Sequence, residues 1–419
     1  MSAPRRVALL LQWMTLGAVV GLACGGASAL FLALLERVTA LRVATPALPW
    51  ALPVAGALLG LVYERFGERV RAGQNLVIDT LHDDGPQLPL RMAPMVLAGT
   101  LVTHLFGGSA GREGTAVQMG AALSDAIAHR LRVTPRVRRA LLSAGVAGGF
   151  GSVFGTPIAG AVFGLEFIVV GHIEYEALVP ALVASVVGDA VTRALGIVHT
   201  AYPTAPVVAL DPLLFGKWVL FAAAVAAAAV AFVELTHAVK RWSERLVPRL
   251  AWRMLAGGAL VVALWRLVGT DAYLGLGVPT IVRAFGDPAL PAWSFAAKIV
   301  FTAVTVGVGF IGGEVTPLFF VGATLGNLLG RALGIPLDLA VGVGLAAVFA
   351  TASNTPLALS IMAVELVGAG ALPHVLIVAV LAYLLAGHRS IYPSQRVLRG
   401  KLGTRLGEAV RLRELDPPT

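Results

Sequence analysis

Apolar residues recur along the chain in long runs that contain few charges, and the longest run lies near the amino terminus. Residues 7–35 carry no charge and exceed the ~20 residues that a helix needs to cross a bilayer. Other runs, such as 218–233 and 339–352, approach that length. The pattern predicts an all-α membrane protein with many spans, whose first run is too long for a cleaved signal and is retained.

Glycine and proline interrupt many of these apolar runs. The chain has 48 Gly and 24 Pro, and many of them lie inside apolar stretches rather than between them. Backbone that is broken at membrane depth is tolerated only where it is buried in protein or lines an aqueous cavity. The sequence therefore predicts broken and re-entrant helices, as transporters have.

A weak internal repeat divides the chain into two halves. Thr-Pro-Ile-Ala at 156–159, followed by Glu166, matches Thr-Pro-Leu-Ala at 355–358, followed by Glu365, with an offset of 199 residues. Corresponding broken segments in two halves are typical of a binding site at the interface between repeats. We expect Glu166 and Glu365, in equivalent positions, to be structural.

The repeat also predicts the domain organisation. A first membrane repeat should occupy about residues 1–200 and a second about 201–390, followed by a basic cytoplasmic tail at 391–419. Each half is expected to span the bilayer an odd number of times, which would make the two repeats inverted. The binding site is expected between the halves.

Composition and charge agree with this picture. The chain is 57% hydrophobic and 13% charged, with a net charge of +9. Its arginines cluster at 130–139 and in the tail, so the positive-inside rule places both segments and the amino terminus in the cytoplasm. This topology explains the basic charge without nucleic-acid binding. Cys24 is the single cysteine and the histidines lack metal-ligand spacing, so we predict neither a metal site nor a cofactor.

The most informative motif is Gly-Arg-Glu-Gly-Thr at 111–115. It is too rich in glycine for a helix interior, and it leads into the mostly apolar segment 116–123. The amides and the positive dipole end of a helix that starts here would attract an anion. Glu113 could occupy the anion's place with its own carboxylate and withdraw on protonation. The proton and the anion would then compete for one site, which would couple their movements. The plainer alternative is a helix-start carboxylate near the headgroups, with Arg112 snorkelling beside it.

A second helix start lies half a chain later, at Gly-Glu-Val-Thr-Pro in 313–317. Pro317 suits a first helical turn, where the missing N–H costs nothing. The amides near Val315 and Thr316 are expected to face the same ion. Glu314 adds a second carboxylate inside the membrane, where ionisable groups are rare and usually functional.

Together with a polar segment that opens at Gly73 and a late tyrosine, Tyr392, these motifs resemble the CLC superfamily of anion channels and anion/proton antiporters. The resemblance covers nearly the whole chain and implies the CLC fold of two inverted repeats. Within the superfamily, the motifs at 111–115 and 312–317 are similar to those of the fluoride-exporting branch.

Differences from the motifs of the chloride branch also favour the fluoride-exporting branch. The chloride branch has Gly-Ser-Gly-Ile-Pro at its first anion-binding segment, whereas this chain has Gly-Gln-Asn-Leu-Val at 73–77. The fluoride branch usually has Asn or Met at the position of Gln74. Chloride exchangers also carry a proton-relay Glu at the position of Phe167. The phenylalanines of the fluoride path are not placed by the sequence; Val77 and Thr80 are the residues near Gln74.

The resemblance implies a role for each matched residue. Glu113 would be the gating, proton-accepting glutamate and Glu314 a second proton-linked carboxylate. Thr316 would contact fluoride or steer Glu113, and the phenol of Tyr392 would donate to the anion. The anion-binding set is Gln74, Asn75, Gly114, Val315, Thr316 and Tyr392. The alternatives are an interfacial aromatic for Tyr392 and a helix cap for Gln74 and Asn75.

Three functions remain open at this level. The first is a proton-coupled fluoride exporter, the second a chloride-type CLC antiporter or anion channel, and the third a membrane enzyme, for which no paired Asp motif or nucleophile elbow is present. The resemblance implies fluoride and protons as the transported ions and a homodimer with one pathway per subunit. It also favours a multi-pass protein of the inner (plasma) membrane.

Overall fold

The computed structural model describes residues 3–82, 87–403 and 405–415, and in them the chain is mainly helical. The first eight helices are α1 (Ala3–Ala44), α2 (Leu52–Phe66), α3 (Gln74–His82), α4 (Met92–Leu105), α5 (Glu113–Arg130), α6 (Pro135–Phe154), α7 (Pro157–Glu166) and α8 (Leu178–Ala194). The next eight are α9 (Pro212–Leu246), α10 (Leu250–Val268), α11 (Val278–Ala284), α12 (Ser294–Gly307), α13 (Val315–Leu333), α14 (Leu337–Ser353), α15 (Pro356–Val367) and α16 (Leu372–Leu385).

In the part of the chain that the structure describes, four helical segments are long and apolar enough to cross a membrane. They are α1, α9, α10 and the segment Tyr175–Ala194, which includes α8. Shorter apolar helices of 10–17 residues accompany them. Such helices cannot each span ~30 Å of hydrocarbon at 1.5 Å per residue, so their ends must be satisfied inside the protein. The broken helices predicted from the glycine and proline pattern are present.

The two halves use the same close helix packing. A Cβ on Gly120 of α5 would lie 2.2 Å from the carbonyl oxygen of Gly145 in α6. In the second half, a Cβ on Gly322 of α13 would lie 2.1 Å from the carbonyl oxygen of Gly344 in α14. Glycine at these crossings lets the helix backbones touch, as small residues do in membrane interfaces. This packing holds the amino-terminal ends of α5 and α13 in place.

The tail adds a small sheet that the all-α prediction did not contain. Strand β1 (Val169–Val170) pairs in parallel with β2 (Arg396–Arg399), which pairs antiparallel with β3 (Arg405–Arg411). Arg413 also approaches Asp79 of α3, at 3.6 Å. The described part of the tail is therefore folded against α3 and the segment that follows α7.

Glu166 and Glu365 cap each other's helices across the repeat. The Glu166 carboxylate accepts hydrogen bonds from the amides of Leu357 (3.1 Å) and Ala358 (2.7 Å) at the start of α15. Glu365 accepts from the equivalent amides at the start of α7, those of Ile158 (2.9 Å) and Ala159 (2.8 Å). Each carboxylate thus satisfies two amides that lack partners within their own helix. These contacts are structural, as the sequence predicted.

We expect Glu365→Ala to lower the thermal unfolding midpoint of the purified protein in detergent, because two amides at the start of α7 lose their acceptor. The cost should be about 1–3 kcal/mol. Glu365→Gln, which keeps one acceptor oxygen, should cost less. The exposed Glu36→Ala serves as the matched control. A Glu365→Ala protein that melts with the wild type would show that the caps do not stabilise the fold.

Candidate anion and proton site

The two glycine-rich loops that the repeat predicted to correspond lie side by side. Gly111 and Gly313 form an isolated antiparallel bridge, with N–H to O distances of 2.6 Å and 2.7 Å. A Cβ on Gly313 would lie 2.8 Å from the amide nitrogen of Gly114, so only glycine allows this approach. The bridge brings the starts of α5 and α13 together between the halves, as predicted.

Neighbouring polar contacts anchor the loop before α5. The Ser109 amide donates to Thr305 Oγ1 at 3.1 Å, and the Ser109 hydroxyl lies 2.9 Å from Thr302 Oγ1. His104 Nε2 lies 3.1 Å from the carbonyl oxygen of Ala110. These contacts join α4 and α12 to the loop, so Glu113 starts its helix from a rigid support.

Glu113 lies at the first position of α5 and is 1% exposed. Its Oε2 accepts from the amides of Thr316 and Arg112, both at 3.1 Å, and the Thr316 hydroxyl donates to its Oε1. Arg112 Nε lies 3.5 Å from Oε1. The carboxylate of one repeat therefore occupies the helix start of the other, where amides and a hydroxyl would hold a small anion equally well.

Gln74 and Asn75 lie at the start of the short helix α3, beside the same site. Gln74 Nε2 would lie 3.2 Å from a Cβ built on Gly114, so its amide reaches the start of α5. Asn75 Oδ1 accepts from the Ser394 amide at 3.1 Å, which leaves its NH₂ group as its remaining donor. Of the predicted pair, Gln74 is placed closer to the start of α5.

Tyr392 lines the same cavity as Gln74 and Gly114 and is 2% exposed. Its ring meets that of Phe167 edge to face, with centroids 6.3 Å apart. The phenol lies beside Gln74, but no described residue meets both the distance and the angle of a hydrogen bond with it. A buried phenol prefers a hydrogen-bond partner, and this hydroxyl can donate to an anion in the site.

Glu314 precedes α13 and lines a cavity of about 1240 Å³, together with Gln74, Gly114 and Tyr392. The other charged residues around this cavity are mixed in sign, with cations in the majority. The cations are Arg71, Lys240, Arg241, Arg253, Arg389 and Arg413, and the carboxylates are Glu68, Glu234 and Glu244. A cavity with this excess of cations favours anions, and Glu314 lies at its contact with the helix starts.

An aromatic column, which the sequence did not place, leads away from Tyr392. Phe167 lies 5.2 Å from Phe163 between ring centroids, and Phe163 stacks on Phe150 at 4.2 Å. Phe154 and Phe319 continue the series. These residues belong to α6, α13 and the α7 region, whereas Val77 and Thr80 belong to α3. Thr80 bonds the Leu76 carbonyl at 2.7 Å, so its hydroxyl already has a partner.

Comparison with known proteins places the chain in a family. The profile of the voltage-gated chloride channel family matches residues 55–387, and the chain belongs to this CLC family. It is an anion-transporting membrane protein with the CLC fold, and the enzyme hypothesis is wrong.

Among the described residues, no group of three or more His, Cys, Asp or Glu side chains could hold a metal ion.

Individual relatives show which members of the family the chain resembles. A chloride/fluoride channel protein of Pseudomonas syringae pv. tomato is 46% identical over 412 residues, which are 96% of this chain and 90% of the relative. A crystal structure of a CLC-type fluoride/proton antiporter matches with a TM-score of 0.89 at 33% identity, covering 95% of this chain and all of that one. A slow cyanobacterial Cl⁻/H⁺ antiporter matches with a TM-score of 0.78 at 19% identity, which shows the fold alone.

Proposed function

We propose that this protein is a proton-coupled fluoride exporter, in which protons entering the cell drive fluoride out. The observation that carries the proposal is the Glu113 carboxylate bound to the amide and hydroxyl of Thr316. The carboxylate and an anion cannot occupy these donors together. Protonation of Glu113 removes its charge and weakens its hold, so proton binding favours anion entry and anion binding favours proton capture.

Fluoride fits the donors better than chloride does. Fluoride is small and strongly hydrated, so it leaves water only where several short hydrogen bonds replace its shell. Such donors are supplied by Gln74 and Tyr392, which line the cavity with Gly114, and by Thr316, which binds Glu113; the amides near Gly114 and Val315 belong to the two helix starts. The serine of the chloride branch is absent from the segment 73–77. The similarity to a fluoride/proton antiporter at 33% identity supports the same choice.

The proton needs a separate inner carboxylate, and we assign that role to Glu314. The apolar Phe167 is 1% exposed at the position where chloride exchangers have their relay glutamate, so it cannot carry a proton. Glu314 lines the large cavity and lies two residues before Thr316, whose amide and hydroxyl bind Glu113. A proton taken up at Glu314 is therefore close to the carboxylate that exchanges with the anion.

Efflux from liposomes that contain the purified protein tests this function. We expect rapid fluoride loss, accompanied by proton movement in the opposite direction, and much slower chloride loss. Fluoride and chloride electrodes in the same vessel, with a pH electrode, measure all three ions. Chloride efflux as fast as fluoride efflux would instead favour the chloride-type alternative, and fluoride efflux without protons would favour a channel.

The assembly and membrane placement form part of the same proposal. We propose a homodimer in the inner (plasma) membrane with cytoplasmic termini. Exposed apolar side chains recur at equivalent places in the two halves, Ile158 of α7 and Leu357 of α15, with further ones on α8 and α16. A second copy would cover this surface. Light scattering of the detergent-solubilised protein measures the mass, and a monomer would contradict the dimer.

A further inference from the structure

Gln395 is a buried amide whose hydrogen-bonding capacity is fully used. It is 0% exposed. Its Nε2 donates to the carbonyl oxygens of Phe167 (2.7 Å) and Ser353 (2.8 Å). Its Oε1 accepts from Asn354 Nδ2 (3.1 Å) and Ser390 Oγ (2.7 Å). Both donors and both acceptor positions of the amide therefore have partners.

These partners come from segments far apart in the chain. Phe167 follows α7 in the first half, and Ser353 and Asn354 end α14 in the second half. Ser390 belongs to the segment after α16. The backbone of Gln395 also accepts from Leu412 of the tail at 2.9 Å. Gln395 thus joins both repeats to the tail at one point.

The same network holds Tyr392 on two sides. The Ser390 hydroxyl donates to the side chain of Gln395 and also accepts a hydrogen bond from the backbone N–H of Tyr392, at 3.0 Å. The backbone N–H of Gln395 donates to the Tyr392 carbonyl oxygen, again at 3.0 Å. Phe167, whose carbonyl oxygen is bound by Gln395, packs its ring edge to face with the Tyr392 ring. Every one of these contacts orients the tyrosine without touching its hydroxyl.

The hydroxyl of Tyr392 depends on that support. The hydroxyl lies beside Gln74, and the backbone and ring contacts of Tyr392 set where it points. A displacement of the ring by about 1 Å would lengthen a hydrogen bond to a small anion beyond its useful range. Fluoride, which needs short contacts, is the anion most sensitive to such a shift.

We propose that Gln395 is a positioning residue that fixes the Tyr392 hydroxyl at the inner end of the anion pathway and thereby sets the affinity for fluoride. The inference rests on the proposed function, since it takes Tyr392 as a fluoride ligand. It extends that function to a residue outside the ion site, which touches neither the anion nor the gating glutamate.

The test compares Gln395→Met with the wild type in liposomes over a range of fluoride concentrations. Methionine has a similar length but forms none of the four hydrogen bonds. We expect the half-saturating fluoride concentration to rise about tenfold while the maximum rate changes less than about threefold. Asn327→Leu is the matched control, because Asn327 is also a fully buried amide that donates to two carbonyl oxygens, those of Ala284 (2.7 Å) and Asp287 (3.0 Å). It should leave the affinity unchanged.

A double-mutant cycle with Tyr392→Phe separates positioning from general destabilisation. If Gln395 acts through the hydroxyl, Gln395→Met should change the fluoride affinity less than about twofold once that hydroxyl is gone. Full additivity of the two changes, or a wild-type affinity in Gln395→Met, would overturn the proposal. Fluoride efflux by the wild type is measured first, so a failure of the proposed function is distinguished from a failure of this inference.

If Gln395→Met does not fold, Ser390→Ala tests the proposal in its place. It removes only the hydroxyl that connects Gln395 with the Tyr392 amide. We expect the same rise in half-saturating fluoride, smaller in size, with the maximum rate preserved. A Ser390→Ala protein that has wild-type affinity would overturn the proposal.

Discussion

Replacing Glu113 with Gln should abolish the exchange of protons for fluoride. Glutamine has nearly the same shape and keeps an oxygen that can accept from Thr316, but it cannot take up or release a proton at neutral pH. A positioned proton-transfer group typically contributes about 10²–10⁴-fold to a rate, so we expect proton-coupled exchange to fall at least about 100-fold. The measurement is simultaneous recording of fluoride and proton fluxes while a pH gradient is imposed across the liposome membrane.

The control for this change is Glu234→Gln. Glu234 also lines the cavity, but it is half-exposed and pairs with Arg389 at 2.9 Å, away from the helix starts. It should retain coupled exchange. Should Glu113→Gln still move protons against fluoride at the wild-type ratio, Glu113 would not be the coupling group, and the Thr316 contact would be only a helix cap.

The second large effect is expected for Glu314→Gln, which should uncouple the two ions. Glu113 remains able to release the anion site, but protons lose their carboxylate on the cavity side. We expect fluoride to move down its own gradient while the proton flux per fluoride falls by about tenfold or more. This result differs from that of Glu113→Gln, in which the gate itself cannot titrate. The same paired electrodes measure the ratio of the two fluxes.

Glu68→Gln is the matched control for this experiment, since Glu68 is a carboxylate that lines the same cavity. Glu68→Gln removes one carboxylate from this cavity, as Glu314→Gln does. Equal loss of coupling in both variants would mean that the cavity potential matters rather than Glu314 itself. An unchanged flux ratio in Glu314→Gln would assign the inner proton route to another group.

The helix starts of the site were predictable because their causes are local. Glycines before Glu113 and Val315 release the backbone from helical geometry, and Pro317 suits a first turn. The structure confirms both starts, at Glu113 and Val315. The repeat also predicted that these loops would correspond, and the Gly111–Gly313 bridge joins them.

Contacts between distant side chains could not be read from the pattern. The Arg-rich segment at 130–139 was interpreted only as a topology signal, yet Arg138 forms a 2.6 Å ion pair with Asp125, which is fully buried. The tail was predicted as a basic segment, and its strand β2 pairs with Val169 and Val170 after α7, while β3 pairs with β2. Charge and hydropathy do not specify a partner, because many partners satisfy the same group.

By itself, the sequence determined that this is a multi-pass helical membrane protein with two related halves, with a carboxylate at a helix start in Gly111–Gly114. Apolar length, glycine and proline act within a few residues, so their consequences are visible in residue order. Only the tertiary structure decided that Glu113 rests on Thr316, 203 residues away, and that Gln395 supports Tyr392. Thr316 reaches Glu113 because the Gly111–Gly313 bridge joins the two halves, and Gln395 is held by residues of both halves, so these arrangements depend on the whole fold.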